Sequence, residues 1–548
     1  MEKFLIKQNN KRFRMFETID DSFSESAALI FAGVFVFFLL LLTWIDQQGV
    51  FRLASDDSYI YLGYVKQLLR NGDLFSYNVG EKSAGTTGLL YYYLLSLIAF
   101  VSHSLFASGV IGNFLTAVTY TTNAVLFLVY VFLFVRIWKM MGGRIGQSRI
   151  SFSGVLVFSI TLLGVRFLWG FFSGLENSLT TCLILCIFYL FLKRSHWLSI
   201  SLSSACLVTT RPDLMPIGVL IVICGGLFSC NTHQRESSVR KRLYSIVFSV
   251  LSFGIFVLIV VSPCWYLTGS PLPSSLGARV TIPALQNPGL LFHNIRDLMS
   301  NFTYLTNPWV VGSFICLIIA FAVRKTKMGG VLLGSALLLF SFYMMRGILN
   351  LYYTGVQDRY ISYTWPLYVL IGAHGIRVLL GKINSSPPAL YRKMASAAYL
   401  MISIFLTFYG FMDFRRELNS DIKEMNQVVV TPSLWMAENF PPNTRVAMEP
   451  AGAIRVFTDL YLIDNLGLTT SHVWEYVKKR ARKQHISNDA YYEGFLKYNR
   501  VEYVFDYPQR LQPLSNKKLF APIIFWVPDQ VRFSGGTIGV CRVRRELF

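Results

Sequence analysis

The sequence predicts a polytopic α-helical membrane protein of about eleven transmembrane helices with a C-terminal soluble α/β domain, and three observations predict it. First, 53% of the 548 residues are apolar and only 15% charged, with a mean hydropathy of +0.46. Those figures exclude a disordered chain, a coiled coil and a disulfide-rich module, and they do not suit a water-soluble globule. Second, the net charge of +21 is spread in short clusters between apolar runs. A nucleic-acid binder would instead gather its basic residues on one soluble face. Third, the last 135 residues contain no spanning run and carry 19 Lys/Arg against 14 Asp/Glu, a soluble balance.

The first apolar run, Ala27 to Trp44, follows Lys7, Lys11, Arg12 and Arg14 and has no small-residue cleavage site after it. It reads as an uncleaved anchor with a cytoplasmic N-terminus. Further spans of ~20 residues are expected near 109–135, 150–169, 178–192, 197–208, 214–228, 243–262, 309–323, 330–345, 361–380 and 394–413. The run Leu89 to Val101 decides the sidedness, because counting it as a span inverts every later loop. Read as a juxtamembrane or re-entrant helix, it leaves 22 basic residues inside against 10 outside before residue 414, as the positive-inside bias requires. Two outer stretches, 45–108 and 263–308, are then long, and 1–413 forms a membrane unit followed by an extracytoplasmic domain over 414–548.

Within that tail, Thr431-Pro432 marks a helix start, Thr as cap and Pro at the first helical position. Arg445 to Met448, Ile454 to Phe457, Tyr461 to Ile463 and Val501 to Phe505 read as short strands. The run Lys478 to Lys483 reads as a solvated helix face, and Glu449 to Asp464 hold candidate residues without assigned roles. Cys182, Cys186, Cys206, Cys224 and Cys316 lie in apolar runs without paired ligand motifs, and the seven histidines are scattered. A His/Cys metal site is therefore not expected. Carboxylates offer hard oxygen ligands, but their spacing selects no set, so a divalent metal ion stays open.

The chemistry concentrates just outside the first span, where the chain reads Ala54-Ser55-Asp56-Asp57-Ser58-Tyr59-Ile60, then Arg70-Asn71-Gly72-Asp73 and Gly80-Glu81-Lys82. Adjacent carboxylates resist joint ionisation when partly desolvated, which can leave one of them a base near neutrality; a solvated helix cap is the bland alternative. A second signal is physical. Trp197 to Val208 spans only ~18 Å as a helix, too short for a ~30 Å core, and ends in Thr209-Thr210-Arg211-Pro212-Asp213. Polar groups and helix breakers near membrane depth point to a wet cavity, and Arg211 there is a functional residue unless it pairs structurally with Asp213 or Glu176. Arg279, Arg346, Arg359 and Lys82 belong to outer loops, so cations can line that cavity beside the bilayer, a setting that suits a lipid phosphate.

The stretch Asp56 to Tyr92, ending in Gly85-Thr86-Thr87-Gly88-Leu89, resembles the first outer loop of membrane glycosyltransferases of the GT-C fold. That superfamily includes protein O-mannosyltransferases, aminoarabinose transferases and arabinofuranosyltransferases, and this chain is most similar to the arabinofuranosyltransferase-like members. Ser173-Gly174-Leu175-Glu176-Asn177, Arg211-Pro212-Asp213, Gly269-Ser270-Pro271-Leu272-Pro273, Asp358-Arg359-Tyr360, Gly452-Ala453-Ile454 and Ile463-Asp464-Asn465-Leu466-Gly467-Leu468 also resemble that family. Leu89 stands where members often carry Pro, and Arg279 where they place Lys.

The resemblance implies an inverting hexosyl or pentosyl transferase of the cell envelope, in a bacterial inner membrane. It would use a polyprenyl-phosphate-linked sugar as donor and a glycan, glycolipid or protein hydroxyl as acceptor. It puts the catalytic carboxylate in the pair Asp56 and Asp57, with Asp56 preferred. Arg211, Arg279, Arg359 and Lys82 are the donor-phosphate candidates. Glu176, Tyr59 and Tyr360 are polar residues facing sugar or acceptor, or structural. A transporter or lipid flippase shares the many spans and broken helices, but no inverted repeat is evident and the carboxylates cluster in an outer loop. A scaffold acting through its tail would leave Arg211 and the long first loop unexplained.

Overall fold

The computed structural model describes residues 29–106, 111–141, 152–229, 239–271, 273, 308–322, 329–348, 362–380, 389–465, 467–470, 473, 488–507, 520–527 and 537–544. Among the expected site residues, Arg279, Arg359 and Tyr360 lie outside this set, as does the run Lys478 to Lys483.

The membrane portion begins with α1, Leu29–Asp46. Then follow α2 (Asp56–Asn71), α3 (Leu89–Phe106), α4 (Ile111–Met140), α5 (Phe152–Leu162), α6 (Val165–Phe172), α7 (Asn177–Lys193), α8 (Trp197–Thr210), α9 (Met215–Ser229) and α10 (Val239–Thr268). After them come α11 (Pro308–Ala322), α12 (Gly329–Ile348), α13 (Trp365–Leu380) and α14 (Ala389–Met425). By length and composition, Leu29–Asp46, Ile111–Met140 and Arg240–Thr268 can each cross a membrane. The α6/α7 pair, bent by 112°, makes a fourth such span if taken as one. Side chains such as Phe37, Leu258 and Ile259 leave apolar surface outward, as an acyl-chain environment requires.

The expected span at 150–169 is interrupted. A Cβ on Gly164 would meet the Trp365 indole, and that indole N–H donates to the Thr161 carbonyl at 3.1 Å. Glycine thus admits the ring, and the ring satisfies a carbonyl near the break. Helix α8 runs 14 residues, as short as expected, and stops at Arg211, whose backbone is extended. A single 3-10 turn, Pro212–Leu214, then leads into α9.

Helix α14 has 37 residues, about 55 Å at 1.5 Å each, well beyond a bilayer core. Its C-terminal half is charged and passes through a π-helical turn, Asn426–Val430, into α15 (Thr431–Asn439). Residue 414 therefore lies inside a helix. Thr431 makes no cap, because Met425 to Val430 already hold helical backbone before it.

The tail sheet comprises β1 (Arg445–Met448), β2 (Tyr461–Asp464), β3 (Tyr503–Asp506), β4 (Phe520–Trp526) and β5 (Ile538–Val543), in the order β2-β1-β3-β5-β4. Strand β1 pairs parallel with β2 and β3, while β5 pairs antiparallel with β3 and β4. Among the described residues, the tail also holds the helices α16 (Ala453–Phe457) and α17 (Asn488–Tyr498) beside α15. The expected strand at Ile454 to Phe457 is thus a helix: five buried residues with no polar alternation carry too little period to separate the two forms.

The first loop and the tail share one core. Tyr59, Tyr64, Tyr77 and Tyr92 from the loop and α3 pack in the same cluster as Val446, Met448, Ile454, Leu462 and Phe505 from the tail.

Candidate active site

Helix α2 opens with the carboxylate pair. Ser55 precedes it in extended conformation, and Asp56 and Asp57 occupy the first turn, where the helix dipole favours negative charge. Gly72 ends the helix in left-handed conformation, its N–H bonded to the Leu68 carbonyl. That role accounts for glycine in Arg70-Asn71-Gly72.

Asp56 points into the tail. Its Oδ2 accepts the Gly452 N–H at 2.8 Å and its Oδ1 the Ala453 N–H at 2.9 Å. Glycine is required at 452, because a Cβ there would fall on the backbone carbonyl of Asp56. Burial pushes the Asp56 carboxyl up to about 7; the two amides pull the other way, and Asp57 and Asp464 add to the rise. Tyr59 lies wholly buried behind the pair, its hydroxyl accepting the Leu53 N–H at 2.9 Å and its ring meeting Phe457 edge-on.

A second cluster lies at the elbow between α6 and α7. Gly174 holds φ +90, and Ser58 Oγ donates to the Ser173 carbonyl at 2.8 Å, fastening the elbow to α2. Glu176 accepts from the Tyr61 hydroxyl at 2.9 Å and from Arg211 at 3.0 Å. Arg211 also grips Asp213 with two bonds of 3.0 Å, reaches Asn177 at 3.3 Å, and lies over the Tyr363 ring. One guanidinium thus answers two carboxylates. The Tyr61 hydroxyl further accepts the Gly88 N–H, so α2, the start of α3, the elbow and the end of α8 converge on one polar knot.

Lys82 sits apart from both clusters, donating to Asp73 at 3.1 Å and to the Leu74 carbonyl at 2.9 Å. Sequence reasoning did not find the seam that fixes the loop on the tail. Lys66, in mid-α2 and only 2% exposed, meets Asp459 at 3.0 Å and the carbonyls of Arg455 and Thr458. The Asn78 amide pairs with both backbone groups of Leu462, donating to the carbonyl at 2.8 Å and accepting the N–H at 3.0 Å. It extends edge strand β2 as another strand would. Asp464 turns its carboxylate onto the N–H groups of Leu468 and Thr469, which gives this aspartate a structural use. Among the described residues, no three His, Cys, Asp or Glu side chains are arranged to hold a metal ion.

Residues 419–538 match the family model described as "Domain of unknown function (DUF8728)". No curated protein matches the chain significantly. Among solved structures, ArnT from Cupriavidus metallidurans bound to undecaprenyl phosphate aligns over 94% of this chain and 98% of its own, at 12% identity and a TM-score of 0.50. The apo state of the same protein aligns over 95% and 99%, at 12% identity and a TM-score of 0.46. The likeness to the lipid-bound structure shows the fold alone: this chain is folded like that protein over nearly its whole length.

Proposed function

We propose that this protein is an inverting membrane glycosyltransferase, moving a sugar from a polyprenyl-phosphate carrier to an acceptor hydroxyl on the outer face of the membrane. The observation that carries the reading is the position of Asp56 and Asp57. They lie at the start of a helix packed between the membrane elbow and the tail, within a fold like that of a protein crystallised with undecaprenyl phosphate.

The acceptor oxygen attacks the anomeric carbon, the bond from that carbon to the phosphate oxygen breaks, and the hydroxyl proton passes to a carboxylate of the pair. The polyprenyl phosphate leaves as an anion, so a general acid is dispensable, unlike in glycoside hydrolysis. A carboxylate has about four lone-pair sites, so Asp56 can accept two amides and still receive a proton. Arg279 and Arg359 carry the donor phosphate in this reading. Arg211, matched by Glu176 and Asp213, organises the elbow, and Lys82 braces the loop. The membrane unit over 1–413, a cytoplasmic N-terminus and an extracytoplasmic tail belong to the same reading, since the base must face the flipped donor.

The test is purified protein in nanodiscs with a panel of undecaprenyl-phosphate sugars and glycan or lipid acceptors. Asp56→Asn, Asp57→Asn and Arg359→Ala are compared with wild type. Loss of a general base or a phosphate donor is expected to lower transfer on the order of 10²–10³-fold. Transfer unchanged in all three variants sinks the site. Lipid movement across liposomes without transfer of any sugar would favour a transporter.

A further inference from the structure

We infer that the tail domain is part of the catalytic apparatus, and that the backbone N–H groups of Gly452 and Ala453 form an amide cradle orienting the Asp56 carboxylate. The inference rests on the transferase reading for its meaning, though the cradle can be tested without any sugar.

The geometry is specific. One oxygen of Asp56 takes the Gly452 N–H at 2.8 Å and the other the Ala453 N–H at 2.9 Å, so neither can rotate without breaking a bond. The backbone of residue 452 lies so close to that of Asp56 that any side chain there would strike the Asp56 carbonyl. The partners are 396 and 397 residues apart in the chain. The seam around them is held independently by Lys66 on Asp459 and by Asn78 on Leu462, so the cradle is presented on a fixed support. Gly452 and Ala453 are positioning residues: they touch the proposed base and act through it.

Among the described residues, the charged or titratable groups facing Asp56 are Asp57 on its own helix, Asp464 at the end of β2, and the phenols of Tyr59, Tyr77 and Tyr507. The carboxylates disfavour ionisation of Asp56 and burial disfavours it further, while the two amides favour it. Removing one amide should therefore raise its proton affinity.

Ala453→Pro removes one donor and sets its ring Cδ where that N–H held the Asp56 oxygen, so the carboxylate is pushed off that side of the cradle; proline itself is accepted at the first position of a helix, and Ala453 opens α16. Gly452→Ala displaces both bonds by collision. The readout is the infrared carboxyl band of the full-length protein in nanodiscs, titrated against pH and assigned by its absence in Asp56→Asn. The wild-type midpoint is expected at about 7. Ala453→Pro should raise it by about one unit, the worth of one charge-assisted hydrogen bond, and Gly452→Ala by at least as much. Asn78→Ala, which loosens the same seam elsewhere, should leave the midpoint in place. Equal midpoints in wild type and Ala453→Pro would overturn the cradle, as would an equal shift from Asn78→Ala. Wild-type transfer by Asp56→Asn would instead remove Asp56 as the base, while the infrared titration still decides whether the cradle exists.

Discussion

Arg211 and Glu176 meet at 3.0 Å across the elbow between α6 and α7, with side chains only 3% and 7% exposed. Asp213 completes the cluster from the 3-10 turn. Each partner is costly to bury alone, so the cluster contributes through its completeness rather than through any one contact. Arg211→Met is expected to destabilise the protein by about 3–5 kcal/mol, because two carboxylates lose their cation. The triple variant Arg211→Met, Glu176→Gln, Asp213→Asn should recover much of that loss. Thermal unfolding in detergent measures both, and a triple variant no more stable than Arg211→Met would show that charge balance is not what the cluster supplies.

The seam between loop and tail gives a second prediction. Asn78→Ala deprives Leu462 of a donor and an acceptor at a buried strand edge, at about 1–3 kcal/mol for each group left unsatisfied. Asn78→Asp keeps the acceptor but sets a buried carboxylate oxygen against the Leu462 carbonyl and the Glu81 carboxylate, so its effect should be larger. Protease sensitivity of the first loop, followed by mass spectrometry, should rise in the order wild type, Asn78→Ala, Asn78→Asp.

That seam was not legible in the sequence, and the reason is separation. Asn78 and Leu462 lie 384 positions apart, and no local pattern in either segment announces the other. Features decided within a few residues could be read: the short α8 ending at Arg211 and strand β1 over Arg445–Met448. Asp56 and Asp57 could be picked out as a pair, but not that Asp56 turns toward Gly452, since neighbouring side chains on a helix start look alike in one dimension. The helix at Ala453–Phe457 read as a strand for lack of period, and strands β4 and β5 were passed over in a tail whose turns give weak signals. Arg211 carried two readings, ligand and ion-pair partner; its contacts with Glu176 and Asp213 are those of the second.

The Asp56 carboxyl sets a pH dependence of stability whose sign can be worked out. Its folded-state pKa is raised from 3.8 to about 7, chiefly by burial. Between those values the folded chain holds a proton that the unfolded chain has released, so stability falls as pH rises. The contribution is fully present below about 3.8 and gone above about 7. Asp56→Asn should flatten the melting temperature across that window, and an unchanged slope would mean that Asp56 titrates like an exposed carboxylate. Transfer should follow the opposite course, rising with pH along the same limb as the base ionises.

Gly174 offers the last prediction. Its φ of +90 is one that residues with side chains rarely adopt, and a Cβ would stand 3.1 Å from both Leu53 and Ser58. Gly174→Ala therefore meets a backbone penalty and a packing penalty together, about 2–3 kcal/mol in all. The displaced neighbour is the residue whose hydroxyl ties α2 to the Ser173 carbonyl, so the start of α2 should shift with it. Both melting temperature and transfer should fall in Gly174→Ala. Adding Leu53→Ala vacates one side of the clash but leaves the backbone penalty and opens a cavity, so it should restore position better than stability. Transfer recovering ahead of melting temperature in the double variant would show that Gly174 serves the site by letting the elbow approach α2; recovery of neither would reduce it to a folding requirement of the elbow.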